Sequence, residues 1–154
     1  VNILKPGIGV GGHCIPIDPW FIKEIDPANS RLMFTARMIN DEMPAKCAAQ
    51  IRASVHAIEI PHIVAIGAAY KADTEDTRES PAIEIVRLLR EDGCRVDHFD
   101  PLVEGMAFPS NLAEACAGAD CLAILVQHEV VMEEIAAKRA DIEQAMRTPQ
   151  ILFS

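Results

Sequence analysis

Apolar positions recur along this chain with two different periods. From Ser30 to Ile58 the residues are mostly good helix formers, and Leu32, Ala36, Ile39 and Met43 recur at spacings of three and four. That period predicts an amphipathic helix, with Ser30 as its N-cap. Pro44 interrupts the stripe, so Asp41 is expected to cap a second helix with Pro44 in its first turn. The expectation is one bent helical segment over 30–58 that links two compact parts. Its stripe faces either the core or another helix, including a helix of a second copy of the chain.

From Pro61 the pattern changes to short apolar runs alternating with amphipathic ones. "HIVAI" (62–66) predicts a strand. "SPAIEIVRLLREDG" (80–93) predicts a helix, with Ser80 at the N-cap, Pro81 at the first helical position and Gly93 as the stop. "CRVDHFD" reads as a second strand, "SNLAEACAGA" as a short helix and "DCLAILV" as a third strand. "HEVVMEEIAAKRADIEQAM" is helical in one or two pieces, and "QILFS" begins a fourth strand. Strand–helix alternation with such short connections implies an α/β fold, with the helical linker followed by a small doubly wound parallel sheet. Ligands on these sheets sit beyond the carboxyl ends of the strands, which points to the loop 67–80.

Residues 1–29 follow neither period. "VNILK" is long enough for a short strand, and the rest is punctuated by glycine and proline. Gly7, Gly9 and Gly12 match G-x-G-x-x-G, but a dinucleotide turn needs a helix immediately after its last glycine. Pro16 and Pro19 leave no room for a regular helix there, and without one a pyrophosphate has no helix N-terminus to rest on. Glycines at 11 and 12 instead let a backbone approach a ligand closely.

Composition narrows the class. The chain has 154 residues, about one domain's worth, and half are hydrophobic. The formal net charge of −9 shows no basic stripe and argues against nucleic acid as a partner. No apolar run reaches the length of a membrane span, and no basic-then-apolar leader opens the chain. The first residue is Val1, not Met, and the opening reads as a fragment or a processed product. Five cysteines with no C-x-x-C pair argue against a disulfide framework or a zinc site, and favour free thiols in the cytoplasm.

Two stretches carry candidate chemistry. Cys14 stands directly after the paired glycines, where it is either an ordinary buried thiol or a reactive one on a tight loop. Asp18, four residues on, is placed to position a water or steady a cation. Lys71 and Arg78 are the cations of "GAAYKADTEDTRESP" (67–81), among Asp73, Glu75, Asp76 and Glu79. They either meet a phosphate at the strand's carboxyl end or pair with their own acidic neighbours. A receiver-like regulator would need acidic residues after the first strand, where this chain has Gly67-Ala68-Ala69.

Together these stretches resemble the UDP-glucose/GDP-mannose dehydrogenase family. The matching phrases are "GVGGHCIPIDPWFI" (9–22), "ARMINDEMP" (36–44), "GAAYKADTEDTRESPAIEIVRLL" (67–89), "HFDP" (98–101) and "ADCLAILVQH" (119–128). "GGHC…DPWFI" is most similar to the branch acting on UDP-N-acetylmannosamine. The glucose branch usually carries Lys where this chain has Ile17.

The resemblance implies oxidation of a UDP-sugar 6-hydroxymethyl to the carboxylate with NAD. It implies Cys14 as nucleophile, Asp18 as the assistant in proton and water chemistry, and the Gly11–Gly12 loop as the wall that holds the sugar. By the same resemblance Lys71 contacts the substrate, Arg78 reaches the cofactor, and residues 36–44 lie on a dimer helix. It divides the chain into the tail of a middle domain (1–60) and a C-terminal UDP-binding α/β domain (61–154). The family's NAD-binding domain and its catalytic lysine and asparagine have no counterpart in these 154 residues. The expectation is therefore a chain inactive by itself, or a stand-alone UDP-binding and dimerisation module.

Overall fold

The computed structural model describes residues 7–153. The strand expected at "VNILK" lies outside them. The elements run α1 (Asp18–Ile25), α2 (Arg31–Asp41), α3 (Met43–Ser54), β1 (His62–Ile66), α4 (Pro81–Glu91), β2 (Arg95–Phe99), α5 (Leu112–Ala115), β3 (Cys121–Ile124), α6 (Glu129–Ala145) and β4 (Ile151–Phe153). The four strands are parallel, in the order β2-β1-β3-β4. The chain leaves β1 for β2 on one side and returns to β3 on the other. The switch point therefore falls between the carboxyl ends of β1 and β3, where doubly wound sheets bind their ligands.

Alternation along the strands makes two cores. Ile63 and Ala65 of β1 face Ala48 and Ile51 of α3 and Val55 just after it, together with Ile85, Val86 and Leu89 of α4. Val64 and Ile66 face Leu112 of α5 and Val131, Ile135 and Ile142 of α6. Both faces of the sheet are covered, so β1 and β3 are buried throughout and, His62 apart, apolar. The core therefore includes α3 as well as the elements after Pro61.

Several local expectations are met. Pro81 occupies the first turn of α4, and Gly93 (φ +82°) follows its end. Pro44 lies in the first turn of α3. The helix after β3 is interrupted at Lys138, whose backbone is not helical, giving two pieces in one run.

Others are corrected. A helix does form among the prolines: α1 begins at Asp18 with Pro19 in its first turn. A missing N–H costs nothing there and the fixed φ is already helical. Ser30 and Ser80 sit at helix N-caps, but neither side chain caps. The Ser80 hydroxyl donates to the Ala69 carbonyl instead, at 3.2 Å. Ser30 Oγ is buried and meets no partner among the described residues. Asp41 does not cap α3; it ends α2, pairs with Arg37, and leaves Glu42 in the cap position. The α2 stripe is not core: Leu32 is 84% exposed and Ile39 53%.

Candidate active site

Three segments meet at the mouth of the sheet: the glycine loop, the loop 67–80 after β1, and the start of α6 after β3. Gly11 lies against the second of these. A Cβ there would overlap the Glu79 carbonyl oxygen and stand 2.8 Å from Tyr70 Cβ, so only glycine admits this approach. Gly12, at φ +92°, donates its N–H to the Arg78 carbonyl at 3.0 Å. Asn40 of α2 holds the loop from behind, its Oδ1 accepting the Val10 N–H at 2.9 Å.

The chain then turns at Cys14. Its carbonyl accepts the N–H groups of Ile17 (3.0 Å) and Asp18 (2.8 Å), which brings the aspartate round to open α1. Cys14 is exposed and is not part of the core. Asp18 is exposed as well. The other thiols differ. Burial pushes Cys116 up to about 12 and Cys121 up to about 11, and raises Cys47 and Cys94 too.

On the facing loop, Arg78 grips Asp76 with Nε at 3.0 Å from each carboxylate oxygen and a terminal nitrogen at 2.6 Å from Oδ2. This guanidinium contact pulls the Asp76 carboxyl down to about 2. Cys14 lies close enough to act electrostatically on Arg78, and His13 on Asp76. Arg78 stays 61% exposed, so its outer edge is open to an anionic ligand. The pairing expected from the run of charges and the exposure needed for a ligand are both present.

Lys71 occupies a neighbouring cleft of about 280 Å³, lined also by Gly7, Gly9, Tyr70, Val126 and Gln127. This cleft sits at the switch point. Neither Cys14 nor Asp18 lines it. Tyr70 is the bridge, touching both glycines on one side and lining the cleft on the other. Gly11, Gly12, Cys14 and Arg78 therefore form one cluster and Lys71 a second beside it. Among the described residues no group of His, Cys, Asp and Glu is placed to hold a metal ion.

Asp100 and His128, the last residues of "CRVDHFD" and "ADCLAILVQH", carry no role in the pattern of the sequence. Both are fully buried. Asp100 Oδ2 accepts the N–H groups of Ala68 (2.7 Å) and Ala69 (3.1 Å) and receives His128 Nε2 at 3.1 Å, while Oδ1 accepts from Leu102 at 2.9 Å. Burial pushes this carboxyl up, but the three backbone donors and His128 outweigh it and its pKa falls. The one available signal was position: a polar residue just past an apolar strand at the ligand-binding end of the sheet.

Comparison with known proteins finds one family along the chain. Residues 64–153 match the UDP-glucose/GDP-mannose dehydrogenase family, UDP binding domain, and residues 1–42 match that family's central domain. A UDP-N-acetyl-D-mannosamine dehydrogenase of Methanococcus maripaludis is 42% identical over 94% of this chain. Another, from Methanocaldococcus jannaschii, is 45% identical over 84%. The solved UDP-D-ManNAc dehydrogenase of Pyrococcus horikoshii superposes with a TM-score of 0.85 at 34% identity, covering all of this chain and 37% of that one. The chain spans about a third of the length of these relatives, 34% in the first case. With one family's two domains matched in order along it, and a fold shared with that family's solved members, the chain belongs to the UDP-glucose/GDP-mannose dehydrogenase family.

Proposed function

We propose that this chain supplies the nucleophile loop and the UDP-binding half of an NAD-dependent UDP-N-acetylmannosamine 6-dehydrogenase. The observation that carries the reading is the Gly12–Arg78 hydrogen bond, which joins an exposed thiol loop to the cationic loop at the switch point. The names of the relatives support the sugar.

In this reading Lys71 meets the UDP phosphates in its cleft, as a cation at a strand's carboxyl end is placed to do. The Gly11–Gly12 wall admits the sugar to the bend where Cys14 stands. Two NAD⁺ molecules, bound in turn, would each take one hydride, and Arg78 is the group of this chain that would meet the cofactor's pyrophosphate. Its exposed guanidinium fits that role. The first oxidation converts the C6 alcohol to an aldehyde. The Cys14 thiolate adds to the aldehyde carbon, giving a thiohemiacetal, and loss of a second hydride from that carbon leaves a thioester. Water, positioned by Asp18, opens the thioester to carboxylate and free thiol. Covalent capture retains the aldehyde and divides a hard oxidation into easier steps.

The exposed Leu32, Met38 and Ile39 of α2 support a homodimer through the 30–58 segment. The free thiols fit a reducing compartment such as the cytoplasm. Among the described residues no helix is long and apolar enough to cross a membrane.

Titration calorimetry with UDP tests the reading, alongside an assay of NADH release from NAD⁺ and UDP-N-acetylmannosamine. The chain alone is expected to bind UDP, to lose about tenfold or more in affinity as Lys71→Met, and to release no NADH. UDP affinity indifferent to Lys71 would overturn the assignment of the cleft, and NADH release would overturn the expected inactivity.

A further inference from the structure

Lys71 is two residues from a backbone conformation that L-residues rarely adopt. Asp73 has φ +59°, a left-handed geometry that Asp tolerates better than most but that still needs support from its surroundings. The support comes from two sides. The Asp73 N–H donates to His128 Nδ1 at 2.9 Å, and the Asp73 carboxylate accepts the Glu129 N–H at 2.9 Å, in the first turn of α6. A negative charge there also meets the positive end of the helix dipole.

His128 is itself fixed. Nδ1 is the acceptor for Asp73, so the hydrogen-bond pattern puts the ring proton on Nε2, which donates to Asp100. The same Asp100 oxygen holds the N–H groups of Ala68 and Ala69, at the other side of Lys71. The His128 carbonyl meanwhile accepts from Val131 and Met132 and so starts α6. One buried pair, at the ends of β2 and β3, therefore grips the loop after β1 before and after its lysine.

We infer that Asp100 and His128, acting through Asp73, are positioning residues that hold Lys71 in the geometry that receives the phosphates of the nucleotide. This rests on the reading that Lys71 meets UDP. A loop with its lysine in place only part of the time binds with an affinity reduced by that fraction. The pair thus sets nucleotide affinity without touching nucleotide.

Calorimetric titration of UDP into the chain and its variants tests this, with thermal unfolding measured on each protein. His128→Leu removes both ring bonds, whereas His128→Asn keeps an acceptor near the place of Nδ1. Asp73→Val puts a β-branched residue at positive φ and deletes the carboxylate, whereas Asp73→Asn keeps both the conformation and the acceptor. His128→Leu and Asp73→Val are each expected to weaken UDP binding about tenfold, and the two Asn variants to stay within about twofold of the parent. Repeated on Lys71→Met, none of the four should change affinity further, since their effect passes through that lysine.

Asp73 is 59% exposed, so its variants carry the test if His128→Leu does not fold. A lowered unfolding midpoint with unchanged UDP affinity overturns the inference and makes the pair a structural anchor only. Losses that add to that of Lys71→Met overturn it too. If Lys71→Met binds UDP like the parent, the underlying reading falls and the inference with it. If that variant binds weakly while the His128 and Asp73 variants bind normally, the inference alone falls.

Discussion

Gly12 and Arg78 are joined backbone to backbone, N–H to carbonyl at 3.0 Å, and Gly11 beside them leaves no room for a side chain against Tyr70 and Glu79. Gly11→Ala must push the thiol loop off the loop 67–80. The expected cost is about 1–3 kcal/mol of stability, from overpacking. For a chain of this length that lowers the unfolding midpoint by roughly 3–10 °C. Gly7→Ala is the control, because a Cβ at Gly7 meets nothing within 4 Å. Calorimetric scans of both variants check this, and equal midpoints would show that the two loops are not packed as described.

Cys14 should be the first thiol to react with a small alkylating agent. It is exposed, whereas Cys116 and Cys121 are fully buried and pushed up to about 12 and about 11. At about pH 8 those two are thiolate in roughly one molecule in ten thousand and one in a thousand. Timed iodoacetamide labelling followed by peptide mass spectrometry gives the order. Cys116 or Cys121 labelled alongside Cys14 in the folded protein would contradict it.

Asp120 ties the opposite end of the sheet together. It is buried, receives Arg147 Nε at 2.7 Å and the His62 N–H at 2.8 Å, and so docks the chain entering β4 onto the starts of β1 and β3. The Arg147 hydrogen bond is the main cause of its depressed pKa. Its contribution is thus present above the unfolded carboxylate value of 3.8 and is lost as pH falls through the lower folded value. Asp120→Asn should cost about 1–3 kcal/mol near neutral pH, less than for a fully buried pair because Arg147 is 59% exposed. The gap between parent and variant should narrow in urea melts as pH falls below the unfolded value of 3.8. A gap independent of pH would place the cost elsewhere.

The exposed stripe of α2 predicts self-association. Leu32→Glu combined with Ile39→Glu should convert a dimer into a monomer without lowering the unfolding midpoint of the separated chain, since both side chains face solvent in it. Sedimentation velocity checks this, and a parent that is monomeric at all concentrations rules out the seam.

The sequence by itself determined the elements whose cause is local. Apolar runs of four or five residues became β1 and β3, Pro81 and Gly93 bounded α4, and alternation of strand and helix implied the parallel sheet and the loop on which the ligand site was expected. Tertiary structure decided which partners the polar side chains took. Ser80 looked like a cap, but its hydroxyl went to Ala69, because loop 67–80 folds back over the start of α4. Pro19 read as a helix breaker until its place in the first turn of α1 was known. Asp100 and His128 lie 28 positions apart and carried no periodic signal. They meet because the strand order sets the ends of β2, β1 and β3 side by side, and burial then pairs their side chains with each other, with the Leu102 N–H and with the loop that bears Lys71.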